Sequence, residues 1–434
     1  MIPDSSVMET GSLRLHPQRQ QLNDEVHARP SVALGTTSRI SSLAFWFPPG
    51  ASGQREALER LTQQLDLPAP TGGTSQYHGG NDRLRVTWSL HTEFARYSFI
   101  VDGPCEAPFE QTALEQIPAE WLAAVPGQLL MAMHAALLPA EEPADIRTLS
   151  ARWFEGNELI GAEISDGEGL ALTDLRLHDD PVTGIGFTRL LILDQGLKPR
   201  TCGRMVTRLF EIESYRMLTL LALPQAKAQM RALDALDAEM KQLTRKMTEE
   251  GSHDGAMLDE LNALAARLED LRSDTQYRFS AAHAYYRLIV QRIDELRERR
   301  RPGLQPFKEF VERRLAPAID TCSTVERRQT DLAARVQRSS ALLRTRVEIE
   351  QEQQNQLLLA SMNRRSALQL RLQKTVEGLS VGVLTYYAVA LISYAAKAFK
   401  ALGIPLNSDL CAGAAIPLVG IVVWLTVHKI KREH

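Results

Sequence analysis

The sequence predicts an α/β or α+β domain, then long antiparallel, coiled-coil helices, then a C-terminal two-helix transmembrane hairpin. Three observations carry this. Strand-like and helix-like patterns alternate from Thr36 to about residue 195. Two matched heptad seams flank the short break GSHDG (251–255). Two apolar runs close the chain, Leu379 to Ala396 and Leu410 to Val427, and the second has no charge. The organisation read from these is an extended segment over 1–35, an α/β domain over 36–197, a helical stalk over 198–375 and the hairpin over 376–434.

In the first domain, SRISSLAFWF (38–47) reads as a strand stopped by Pro48, Pro49 and Gly50. Leu58, Leu61 and Leu65 make REALERLTQQLDL (55–67) an amphipathic helix. NDRLRVTWSLHTEFARYSFIV (81–101) alternates and reads as one long strand or a hairpin. AEWLAAVPGQLLMAMHAALL (119–138) reads as a helix interrupted near Pro126. IRTLSARWF (146–154), LIGAEI, LALTDLRL and GFTRLLIL read as short strands.

From Lys198 the pattern is helical. One helix covers 200–223, with Pro224 at its end. Leu233, Leu236, Met240, Leu243 and Met247 then step by three and four, the a/d seam of a heptad repeat. After the break, Met257, Leu261, Leu264, Leu268 and Leu271 resume it, which predicts an antiparallel hairpin. The second arm ends at RERRR (297–301) and Pro302-Gly303. A third helix starts near Pro306 and runs through the first apolar stretch, with Cys322, Val325, Leu332, Val336 and Leu343 on its seam. Gln329 and Ser339 are polar seam positions, which point to several packing partners or self-association.

Bulk properties exclude several classes. A net charge of -3 on 434 residues implies no nucleic-acid partner. The four cysteines are scattered, without CxxC, so neither a disulfide framework nor a zinc site is expected. The N-terminus lacks the basic and apolar regions of a signal peptide, which leaves membrane insertion to the C-terminal end. Walker-type loops, GxGxxG and G-x-S-x-G are absent, and no enzyme activity is predicted.

The candidate sites are few. Asn23, Asp24, Glu25, His27 and Arg29 in LNDEVHARP (22–30) look like a catalytic box, or with Asp24 or Glu25 beside His27 a metal pair without a completing cluster; the plainer reading is an extended segment pinned by hydrogen bonds and ion pairs to the α/β domain. His91 and Glu93 in HTEF are placed on one side of a strand, with a polar face as the plainer reading. HDD (178–180) with Asp166 and Glu168 offers carboxylates for a hard cation, or simply solvated acids. RERRR suits the C-terminal end of a helix dipole.

In the first apolar run, Gly378, Gly382, Thr385, Val389, Ser393 and Ala396 form one small, weakly polar stripe, with Glu377 about 100° round from it. Such a stripe suits helix packing or the lining of a pore. Arg364, Arg365, Arg371 and Lys374 precede the first span and Lys429, Lys431 and Arg432 follow the second. The loop has only Lys397 and Lys400, so both termini are expected on the cytoplasmic side of a bacterial inner membrane.

LNDEVHARP, HTEF, ESYRMLTLLALPQA (213–226) and ASMNRRSALQLRLQKTVEGLSVGVLTYY (360–387) closely resemble an uncharacterised family of bacterial membrane-anchored proteins classed as a domain of unknown function. The order of parts is also similar to CorA-type divalent-cation channels, which are homopentamers with the first span lining the pore. That resemblance implies a homo-oligomer in membrane lipid, with Glu377, Gly378, Gly382, Thr385 and Ser393 near a pore. It makes Lys429, Lys431 and Arg432 an inner basic ring, and a divalent cation the transported or sensed ion. CorA proteins carry Gly-Met-Asn in the outer loop; this chain has GIPLN (403–407), with Gly403 and Asn407 as related positions. The alternative expectation is a non-conducting scaffold or sensor that uses its stalk for protein interaction.

Overall fold

The computed structural model describes residues 16–19, 32–71, 75–140, 145–249, 254–401 and 408–433. The chain divides into two compact units: 1–249 with 260–337, and 250–259 with 338–434.

The first unit is built on a mixed sheet. Its strands are β1 (Ser38–Trp46), β2 (Gln76–Gly80), β3 (Arg85–Leu90), β4 (Phe94–Asp102), β5 (Gln128–Pro139), β6 (Ile160–Ile164), β7 (Gly169–Thr173), β8 (His178–Asp179) and β9 (Gly186–Asp194). They lie in the order β2-β3-β4-β1-β5-β9-β7-β6, with β8 paired to β9. β5 and β9 pair in parallel; the other named pairs are antiparallel.

Helices cover both faces. Helix α1 (Gln54–Gln64) and α2 (Ala119–Ala124) pack Leu58, Leu61 and Trp121 against Leu43, Phe45 and Phe99. Helix α3 (Ile146–Trp153) closes the β7–β9 end with Trp153, beside Phe154. On the opposite face, α4 (Pro199–Leu220) lays Met205, Leu209 and Phe210 over Ile40, Met133 and Ile192. The end of α6 (Asp254–Leu296) and α7 (Phe307–Arg314) complete that layer through Ile289, Ile293 and Val311.

Two segment readings are corrected. Residues 119–138 are not one helix: α2 ends at Ala124 and QLLMAMHAALLP is strand β5. A strand between β1 and β9 is buried on both faces, so its sequence loses the alternation that marks a strand. Its Ala, Leu and Met residues are good helix formers, and tertiary burial overrides that preference. Gly127 makes the switch: its φ is 95°, and a Cβ there would meet Trp46 O at 2.6 Å. IRTLSARW is a helix rather than a strand. Asp145 caps it by accepting from Arg147 N and Thr148 N at 3.3 and 3.1 Å.

The stalk seam matches the sequence reading closely. Helix α5 (Ala222–Lys246) and α6 run antiparallel, joined by Lys246–Glu260 and Arg267–Glu239. The first turns of α8 (Ala316–Ala401) lie alongside through Arg328–Asp234 and Arg335–Asp237. Leu233, Leu236, Met240, Leu261, Leu264, Cys322, Val325, Leu332 and Val336 are all buried. Gln329 is buried too, its amide reaching Gln229 Oε1 and Thr275 Oγ1 at 3.4 Å each.

The segment RERRR borders the sheet rather than only ending a helix. Arg299 exchanges backbone hydrogen bonds with Glu163 on edge strand β6, and Gln305 O accepts from Gly161 N. Pairing the edge removes a template for aggregation.

The second unit holds the rest of α8 and α9 (Ser408–Glu433). Among the described residues, two helical stretches are long and apolar enough to cross a membrane, one ending α8 and one within α9.

Candidate functional site

One face of the sheet carries a patch of polar residues that the strand register brings together. Gln76 pairs with Ser89, and Ser89 with Arg96; one step along, His78 pairs with Thr87, and Thr87 with Ser98. Beyond these, Ile40 of β1 lies opposite Ile100 of β4. Helix α4 crosses this patch with Gly203, Val206, Thr207, Phe210 and Glu211, a single helical face. Between helix and sheet is a cavity of about 290 Å³.

The cavity is polarised along the strands. Val32, Leu34, Ile40, Ile100 and Val206 line its apolar end. Gln76, Ser89, Arg96, Glu211 and Arg292 line the other. The charged end is a linked network. Arg292 donates to both Glu211 and Glu295, and Arg208 Nε donates to Glu295 at 2.9 Å. Arg96 lies 3.8 Å from Glu211, beyond hydrogen-bond distance. Its side chain is 10% exposed, and among the described residues it makes no hydrogen bond. The Ser89 hydroxyl is also buried without a partner. Burial pushes the His78 pKa down, so that ring is neutral at pH 7. Four guanidinium groups, those of Arg96, Arg204, Arg208 and Arg292, thus line the cavity with two carboxylates, a surplus of positive charge.

Gly203 explains how the apolar end closes. A Cβ at this position would lie 1.8 Å from Val32 O. Leu34 N donates to Pro199 O at 3.1 Å, and Arg85 donates to Ala33 O while pairing with Asp102.

The HTEF residues are not on alternate strand positions. His91 and Glu93 sit in the turn between β3 and β4. Glu93 is fully buried and accepts two hydrogen bonds from Arg278 of α6, one from Tyr285 Oη at 2.8 Å and one from Trp46 Nε1 at 3.3 Å. Burial and the Glu93 charge push the Tyr285 phenol well above its usual range. This carboxylate fastens the stalk to the sheet.

The HDD acids separate. Asp180 accepts from His134 Nε2 at 3.0 Å and from Thr183 N and Oγ1. Burial alone would raise its pKa, but those hydrogen bonds outweigh it and hold the carboxyl at about 2. His134 is neutral because burial lowers its pKa more than Asp180 raises it. The ring therefore donates from Nε2 to Asp180, and its Nδ1 accepts from Ser41 Oγ at 2.9 Å. This is the donor order of a serine-hydrolase relay, but Ser41 is fully buried and does not line the cavity, so it braces β1 against β5 instead. Asp166 pairs with Arg297 and Arg299 on the other side of the sheet order. Among the described residues, no group of three or more His, Cys, Asp or Glu side chains is arranged to hold a metal ion.

In the hairpin, Thr385 donates its hydroxyl to Val381 O at 2.7 Å, and a Cβ on Gly420 would lie 3.8 Å from its methyl. Ser393 is half-buried and Ala396 buried, while Gly378 and Gly382 are exposed with nothing within 4 Å of a Cβ. Ala412, Ala415, Val419, Val423 and Val427 form the shielded stripe of α9. Glu377 is half-buried, Lys429 is exposed near the end of α9, and Lys431 and Arg432 belong to the same helix. Gly403, Asn407 and the LNDEVHARP motif lie outside the described residues.

Sequence reasoning did not find Ser89, Arg96, Arg208 or Arg292. The visible signal was the repeated R-x-x-E: Arg208 with Glu211, and Arg292 with Glu295.

These parts define a class: an α/β sandwich with a polarised cavity, a three-helix stalk and two helices able to cross a membrane. The chain belongs to a family described as protein of unknown function (DUF3422), whose profile matches residues 14–434. A comparison with curated proteins finds no match.

Proposed function

We propose that the chain is an integral protein of the bacterial inner membrane, anchored by its C-terminal hairpin and acting as a non-conducting sensor or scaffold. The observation that supports this best is the packing inside the hairpin. Thr385 bonds its hydroxyl within its own helix and turns its methyl to Gly420, while Ser393 and Ala396 are shielded. A stripe used for close helix packing does not offer a row of oxygens to an ion. Large side chains around it, among them Leu379, Tyr386, Leu391, Leu418 and Ile421, are exposed, as a hydrocarbon solvent requires. With basic residues before the first span and after the second, both termini face the cytoplasm. Exposed Leu357, Leu358, Leu359, Leu368 and Leu372 on α8 give the stalk an apolar surface for self-association or a partner.

A second reading is a CorA-like homo-oligomeric cation channel. Its support is the open face at Gly378 and Gly382, where a neighbouring copy has room to approach. There Glu377, Thr385 and Ser393 would approach a shared axis, with Gly403 and Asn407 at its outer mouth and Lys429, Lys431 and Arg432 around its inner one. Neither reading includes catalysis.

Carbonate extraction tests the anchor. Full-length chain stays in the membrane pellet, and a chain ending at Lys374 is released. Reporters placed at Asn407 and after the last residue should map to opposite sides of the membrane. Release of the full chain, or both reporters on one side, contradicts the anchored topology.

A further inference from the structure

We infer that the cavity between the sheet and α4 binds an organic carboxylate with an apolar body. This deepens the sensor reading and rests on it for its purpose, but the binding itself does not depend on how the hairpin behaves.

Four observations converge. First, Arg96 is nine-tenths buried, lines the cavity and makes no hydrogen bond among the described residues. Its one charged partner among those residues is Glu211 at 3.8 Å, which leaves its hydrogen-bond donors open to a carboxylate. Second, the Ser89 hydroxyl is buried, unpartnered and directly opposite Arg96 in the β3–β4 register. One hydroxyl donor beside one planar guanidinium matches the two oxygens of a carboxylate. Third, four arginines line the cavity, Arg96, Arg204, Arg208 and Arg292, against the carboxylates Glu211 and Glu295, and the neutral His78 does not alter the balance. An incoming anion therefore meets a net positive lining.

Fourth, the far end of the same cavity is Val32, Leu34, Ile40, Ile100 and Val206. A free inorganic anion leaves that surface unfilled. A carboxylate with a short aliphatic body fills it while its head reaches Ser89 and Arg96. A cavity of about 290 Å³ holds about ten water-sized groups, close to the count of non-hydrogen atoms in octanoate. Pockets of this design bind by an apolar body and orient by a few convergent polar groups.

The test is calorimetric titration of octanoate into the full-length protein in phosphatidylethanolamine/phosphatidylglycerol nanodiscs, with empty nanodiscs subtracted. Octanol carries the tail without the charge, and acetate the charge without the tail. The expected result is saturable binding of one octanoate per chain, with octanol and acetate each at least about tenfold weaker. Ser89→Ala should weaken octanoate at least about tenfold, without lowering the thermal midpoint, because it deletes an unpartnered hydroxyl. Arg96→Gln should remove the preference for octanoate over octanol. Octanol or acetate binding as tightly as octanoate, an unchanged affinity in Ser89→Ala, or no saturable heat overturns the assignment. None of these outcomes bears on anchoring, which carbonate extraction scores separately.

Discussion

Replacing Glu93 with Ala should destabilise the first unit severely. Glu93 is fully buried, and the Arg278 side chain facing it is 9% exposed. The substitution deletes the acceptor for two Arg278 donors, Tyr285 Oη and Trp46 Nε1. It also strands a guanidinium away from water. Breaking a buried ion pair in this way costs about 3–5 kcal/mol. For a unit of this size, at roughly 2 °C per kcal/mol, the thermal midpoint should fall by about 6–10 °C. The assay is differential scanning calorimetry of the purified full chain. The companion Glu93→Leu/Arg278→Met should recover the part of the loss due to the stranded guanidinium, because a buried pair replaced by apolar groups of similar size is often neutral, while Tyr285 Oη and Trp46 Nε1 stay without their acceptor. Two results would refute the reasoning: a Glu93→Ala midpoint within about 1 °C of wild type, or a double variant no better than the single one.

Other predictions follow from the same geometry. The His134 and His78 pKa values are depressed from 6.5, so the unfolded chain binds their protons first; stability is full above pH 6.5 and declines as pH falls below it. His134→Asn should flatten part of that slope in thermal scans from pH 8 to 5, and parallel curves would contradict it. The depressed Asp180 carboxyl adds stability that is present above 3.8 and lost as pH falls towards about 2. Gly203→Ala would drive a methyl into Val32 O and should cost about 1–3 kcal/mol, seen as a lower midpoint and faster proteolysis near Val32. Gly420→Leu should disrupt the packing against Thr385, read as a loss of cysteine cross-linking between engineered pairs on the two spans.

The stalk was legible residue by residue because the heptad period is a strong and local signal. Leu233 through Met240 and Cys322 through Val336 are buried where the three-four spacing put them, and the polar seam position Gln329 is buried with them. Strands β1, β6, β7 and β9 were legible as short apolar runs between turn residues. β5 was not, since a strand covered on both faces reads as a helix when its residues are Ala, Leu and Met. The Pro126-Gly127 pair marked the boundary.

The cavity was hidden for a different reason. Ser89 and Arg96 meet only through strand register, and Glu211 and Arg292 only through the packing of helices distant in sequence. HTEF reads locally as a polar strand face or a ligand pair, yet its glutamate is the anchor between stalk and sheet, which no local pattern reveals. The small stripe from Gly378 to Ala396 was visible as a stripe. Which half is shielded and which is open depends on where α9 lies, and that information is not local to α8.

The most direct test of the proposed non-conducting anchor is cation flux in liposomes carrying the purified full-length protein. The account predicts no protein-dependent flux of Mg²⁺, Co²⁺, Zn²⁺ or monovalent cations, with wild type and a Thr385→Leu/Ser393→Leu variant alike. Flux in the wild type that the double variant abolishes would contradict it and favour the channel.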